Sequence, residues 1–286
     1  MNNQKSISEE IMEAVKLSRP YCTGKIGSVE ASCVVHKLSS GLNRNWNTPG
    51  HGKTLRLALG ENAGIFPLND LVLDRWVSEF VKSVSDLDSV LQWCPEYGDQ
   101  AIIDNFCANV RRYNSFDDLE PFFIEREKNW FTNLKGKKVL IVSPFEHSIK
   151  KQIPNISKIW EEDLSSIEFE VLKFPYSPFV SGQQHDKSFY HLQKRIYSEI
   201  NSISFDVAIV GAGAYSIPII AKVKSLGKVG IHLGGALQLL FGIKGRRWDN
   251  NEKFKDSSFY NSEFWIRPLE DDLPKNSIAV EGGCYW

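Results

Sequence analysis

Several common signatures are missing from this chain. Its five cysteines, Cys22, Cys33, Cys94, Cys107 and Cys284, are odd in number and form no CxxC pair. That argues against a disulfide scaffold or a structural zinc site and fits a reducing, cytoplasmic setting. No excess of either charge exists: 34 Lys plus Arg against 35 Asp plus Glu leave a net of −1, so neither a nucleic-acid coat nor an acidic tail is expected. No stretch reaches the roughly 18 consecutive apolar residues that cross a bilayer. The first helix-like segment mixes Glu9, Glu10 and Glu13 with Lys16, unlike a signal peptide. GxxxxGK[ST], HExxH and GxSxG are all absent, which removes the motif basis for P-loop kinases, zinc hydrolases and serine hydrolases.

What is present is an alternation of apolar runs and helical patterns. A helix is expected over 6–18 with Ser6 or Ser8 as cap, an extended segment over 23–26, a helix over 29–38 and another over 69–82 capped by Asn69 or Asp70. The apolar runs 90–94 and 101–107 read equally as strand or helix. Beyond residue 134 the pattern is regular: strands at 139–143, 169–174, 206–210 and 229–233, and helices at 147–160, 187–202 and 217–226. Strand–helix units at this spacing predict a single α/β domain over 1–286, an open, mostly parallel Rossmann-like sheet with helices on both faces. The ligand belongs beyond the carboxyl ends of its strands. A subdomain break is conceivable only near 114–121, and that stretch reads equally well as a surface loop. Aromatic residues make up 12% of the chain, and several stand beside Gly, Asn and Arg in loops, where they suit a cleft as well as a core.

Three segments carry chemistry. In DVAIVGAGAYSIPII, residues 206–220, a strand delivers Gly211 and Gly213 to a turn with Tyr215 close behind, and the helix that follows begins with amides suited to a phosphate. A tight structural turn is the alternative. In Gly27-Ser28-Val29-Glu30, Glu30 enters the first turn of a helix just after a strand, as a metal ligand, a base, or merely a solvated carboxylate. In IHLGGALQLLFGIKGRRWDN, residues 231–250, His232 ends a strand, Gly234-Gly235 turns, and Gln238 follows. Arg246 and Arg247 then stand beside Trp248: two guanidinium groups for a diphosphate and an indole for a base or sugar. A core histidine and a solvated turn are the alternative there. His147, behind the strand 139–143, and Asn62, in the turn LGENAGIFP, complete the candidate contacts.

Residues 19–31 (RPYCTGKIGSVEA), 122–149 (FFIEREKNWFTNLKGKKVLIVSPFEHSI) and 205–242 (FDVAIVGAGAYSIPIIAKVKSLGKVGIHLGGALQLLFG) resemble the GT-D-type bacterial glycosyltransferases, and most closely uncharacterised relatives of them. In that family a Gly-Asp-Gly-Glu type sequence helps to hold a divalent metal against the donor. Gly27 and Glu30 match its first and last residues, while Ser28 replaces the aspartate and Val29 the second glycine. His232 falls where the family has an aspartate, and Gly235 where it has a histidine. The resemblance implies a UDP- or GDP-sugar donor and a glycan or lipid-linked glycan acceptor, with peripheral membrane association and no nucleic acid. Gly211, Gly213, Arg246 and Arg247 would bind diphosphate, aided by Lys25, and Trp248 or Trp46 would stack on base or sugar. Glu30 would bind Mn²⁺ or Mg²⁺ or act as base, with His232 the better-placed base. Two readings compete: a nucleotide-dependent oxidoreductase, for which Ser216 replaces the third glycine and Lys228 the acidic ribose ligand, and a non-catalytic glycan-assembly protein of the same fold.

Overall fold

Strands β1 (Tyr21–Lys25), β2 (Ser89–Leu91), β3 (Arg111–Tyr113), β4 (Lys138–Ser143), β5 (Glu168–Lys173), β6 (Val207–Val210) and β7 (Val229–His232) form one sheet in the spatial order β3-β2-β1-β7-β6-β4-β5. Every pairing in it is parallel. This computed structural model describes residues 5–41 and 45–286.

Alternation along the strands sets the layers. Leu140 and Val142 of β4, with Ala208 and Val210 of β6, enter one apolar cluster; their neighbours Val139, Ile141, Val207 and Ile209 enter another on the opposite face. Both faces are therefore buried, which is why these strands read as unbroken apolar runs. The first cluster takes in α2 (Ser28–Ser40), α3 (Leu55–Glu61), α4 (Asp70–Val84), α5 (Asp99–Phe106), α7 (Phe189–Ser202) and α8 (Ser216–Ser225). The second takes in α1 (Ile7–Lys16) and α6 (Glu146–Gln152). The Rossmann-like α/β architecture with helices on both faces is thus present.

Local chemistry fixes the element ends. Ser6 and Glu9 form a capping box on α1, and Asn69 caps α4 through the amide of Val72. The helix expected over 147–160 is interrupted: Pro154 has no N–H to continue the ladder, so a 3₁₀ turn, Ile153–Asn155, separates α6 from Ile156–Trp160. The two ambiguous runs resolve as β2 and α5. Of the expected loop 39–53, residues 42–44 lie outside the described residues, and Pro49–Gly50 pairs antiparallel with Lys53–Thr54. The 114–121 stretch joins β3 to β4, two strands of the same sheet. Among the described residues, no helix is long and apolar enough to cross a membrane.

The register sets the strand ends side by side. Val142 pairs with Val210, Val210 with His232, and Lys25 with Leu91. The turns leaving β1, β4, β6 and β7 consequently open onto one edge of the sheet.

Candidate functional site

A cavity of about 550 Å³ lies along that edge. Gly27, Ser28 and Glu30 reach it from the turn after β1, Asn62 from the end of α3, Gly211 and Gly213 from the turn after β6, and His232, Gly234 and Gln238 from the end of β7. Arg247 and Trp248 close one side. The structure brings these eleven sequence candidates together around one space.

Four others do not serve it as expected. Arg246 does not line the cavity; its Nε donates to the Trp286 carbonyl at 3.2 Å. Tyr215 is buried in the core with its hydroxyl 3.2 Å from the Gly64 carbonyl. His147 gives its backbone N–H to Asp272, and its ring lies 3.4 Å from Lys173 Nζ. Trp46 is not a ligand platform either: at 1% exposure it fills the core and donates to Asp74. A loop tryptophan needs an apolar partner, and here the first helical layer supplies it.

Glu30 is the distinctive group. It is 9% exposed and has no ion-pair partner among the described residues. Burial, opposed by a hydrogen bond from its own backbone amide and assisted by the Glu281 charge, pushes its carboxyl up to about 7. Its carboxyl folds back over Gly27, where a Cβ would collide with it, so the glycine is needed for this placement. His232 moves the other way. Burial, opposed by the Val210 carbonyl and assisted by the Lys25 charge, drives it down to about 4. Its Nδ1 edge is held by backbone, 3.2 Å from the Val210 carbonyl and 3.1 Å from the Gly234 amide. At neutral pH the imidazole is uncharged and weakly basic, which reverses the sequence-based ranking of the two bases.

The cations of the cavity are already matched. Lys25 Nζ donates to Glu120 at 2.6 Å and sits 4.7 Å from the centre of the Phe116 ring. Arg247 bonds Glu281 and, at 2.9 Å, the hydroxyl of Tyr285. No three His, Cys, Asp or Glu side chains among the described residues converge to hold a metal ion. Of the carboxylates lining the cavity, Glu30 is the sequence candidate for Mn²⁺ or Mg²⁺, with Glu61, Glu120 and Glu281 in the same lining.

The turn after β6 is internally committed. The amides of Gly211, Ala212, Ala214 and Tyr215 donate to Val142 O, Ser216 Oγ, Ala63 O and Ala212 O. A Cβ on Gly211 would come within 2.6 Å of the Gly234 carbonyl, and one on Gly213 equally close to that of Ala63. These glycines let neighbouring backbone approach, and the phosphate cradle expected from their spacing is taken up by the protein.

Sequence reading missed the roof of the site. Trp93 and Phe116 form one wall; Val280, Glu281, Tyr285 and Trp286 form a cover over the opening. The Tyr285 ring presses on Gly235, its carbonyl accepts from Gln238 Nε2 at 3.1 Å, and the Cys284 carbonyl accepts the Arg247 amide at 2.8 Å. The one signal was the EGGCYW run at 281–286, a glycine pair before two adjacent aromatics.

In comparisons with known proteins, no family model, curated protein or solved structure matches the chain.

Proposed function

We propose that the protein is a glycosyltransferase that moves a sugar from a nucleotide-sugar donor to a hydroxyl of a glycan or lipid-linked glycan, with Glu30 as the base. One observation carries the reading: a buried carboxyl with no ion-pair partner among the described residues shares a cavity with a guanidinium, two ammonium groups and several aromatic rings at the carboxyl edge of a parallel sheet. Aromatic faces such as Trp93 and Trp248 suit the C–H faces of a sugar or a base. A carboxyl held near 7 is half ionised at working pH and basic enough to accept a hydroxyl proton.

In this scheme Glu30 takes the proton of the acceptor hydroxyl as its oxygen attacks the anomeric carbon. The bond from that carbon to the diphosphate breaks, and the electron pair leaves with the nucleoside diphosphate. Arg247, Lys25 and Lys253, paired in the structure with Glu281, Glu120 and Asp117, exchange those partners to meet the charge on the leaving group. A single base and a single displacement predict inversion at the anomeric carbon. His232 contributes a hydrogen bond from its free edge. No step requires a metal.

The oxidoreductase alternative is less well supported, since Ser216 turns the Ala212 amide inward where a pyrophosphate would need it. A calorimetric titration with UDP- and GDP-sugars, NAD⁺ and NADP⁺ tests the proposal. Tight binding of a nucleotide sugar with weaker binding of both dinucleotides is expected; the reverse order overturns it. Binding without turnover, unchanged by Glu30→Gln, would favour the non-catalytic glycan-assembly reading.

A further inference from the structure

A second space of about 560 Å³ adjoins the first, and the two share four lining residues: Ser28, Asn62, Arg247 and Glu281. Three of these are hydrogen-bond donors and one is an acid. Ser28 opens α2, a helix of thirteen residues whose N-cap, Gly27, supplies no side-chain cap. The helix dipole and its first amides favour negative charge at this point. Arg247 stands opposite, 44% exposed in its side chain, and its present partner is the Glu281 carboxylate, 31% exposed.

Glu281 is held there at a conformational cost. Its φ is +48°, in the left-handed region, and Gly282 and Gly283 continue that region at +69° and +77°. Arg247, in contrast, is positioned without Glu281: its guanidinium lies 4.8 Å from the centre of the Tyr285 ring, and its amide is bound to Cys284. An organised guanidinium is thus covered by a carboxylate carried on a strained, glycine-hinged turn.

We infer that Arg247, Ser28 and Asn62 form a phosphoryl-binding site at the junction of the two cavities, and that the chain's own Glu281 occupies it until a ligand phosphate displaces the carboxylate. Displacement frees Arg247, which with Ser28 and Asn62 lines both spaces. The site deepens the proposed function by seating the donor's diphosphate here, away from the Gly211–Gly213 turn. It rests on that reading only for the nucleotide, not for the anion.

Calorimetric titration of inorganic pyrophosphate, UDP and uridine into the wild-type chain and its variants tests the site. Glu281→Gln removes the competitor. If the Arg247–Glu281 pair is populated about ten to one over its open form, pyrophosphate and UDP bind roughly tenfold tighter to this variant, with uridine unchanged. Arg247→Lys keeps the charge but loses the fork and should weaken both phosphate ligands; Arg247→Met should abolish pyrophosphate binding. Unchanged or weaker binding in Glu281→Gln, with wild-type thermal unfolding, overturns the inference. So does wild-type pyrophosphate affinity in either Arg247 variant. Pyrophosphate binding through Arg247 without any affinity for nucleotide sugars would leave the anion site standing and remove the transferase. Nucleotide-sugar binding indifferent to Arg247 and Glu281 would do the opposite.

Discussion

Two turns leave neighbouring parts of the same sheet edge, and their roles are the inverse of their motifs. The turn after β6, with its GxG spacing, looks like a phosphate loop, yet its amides bind Val142, Ser216 and Ala63. The turn after β1 carries only Gly27-Ser28-Val29-Glu30 and looks unremarkable, yet it opens both cavities and holds a buried carboxyl that has no ion-pair partner among the described residues. Glycine spacing reports that backbone must pass closely; it does not report whether the passing group is a ligand or another loop.

The sharpest way to break this contrast is Glu30→Gln. Turnover, followed by release of nucleoside diphosphate, should fall by about 10²–10⁴. The same change should alter stability with a definite sign. The folded carboxyl titrates near 7 against an ordinary 4.5, so between these values the folded state binds more protons than the unfolded, and stability declines as pH rises through the window. At pH 8 the variant should be more stable than the parent by up to about 3 kcal/mol in urea unfolding, a difference that closes below pH 4.5. A variant less stable at pH 8 would mean that Glu30 is ionised and paired.

On the β6 side the effects are structural. Gly213 has φ +53° and Gly211 has none of that strain, but both face backbone at 2.6 Å. Gly213→Ala should lose about 3 kcal/mol from combined strain and collision, read from the urea midpoint. Ser216→Ala, which strips the Ala212 amide of its acceptor, should lose about 1–2 kcal/mol. A ligand-binding defect in Ser216→Ala without loss of stability would return this turn to the site.

A pH effect of similar size and opposite sign belongs to His232. Its folded value near 4 lies below the ordinary 6.5, so the folded state binds fewer protons in that interval, and its contribution is lost as pH falls from 6.5 toward 4. His232→Gln should flatten the acid limb of the stability curve, measured as melting temperature against pH.

The sheet was legible because a strand buried on both faces leaves a run such as VLIV at 139–142 that no exposed loop carries. Glu30 and His232 were legible as cavity-lining residues for a related reason: each lies at or just beyond a recognisable strand end. The roof was not. Residues 270–286 fold as single 3₁₀ turns without apolar periodicity, and their partners, Gly235, Gln238 and Arg247, are more than thirty positions away in the chain. The commitment of the β6 turn was hidden similarly, since its acceptors come from residues 63 and 142.

The Asp272 carboxylate accepts the amides of His147 and Ser148 at the start of α6, tying a late segment to a helix far earlier in the chain. A ribosome delivers the chain from its amino end, and domains assemble in that order. All seven strands will have emerged by residue 232, before any of the cover exists. Synthesis therefore passes through a stage in which the sheet is complete while residues 280–286, which line the cavity, are still to come.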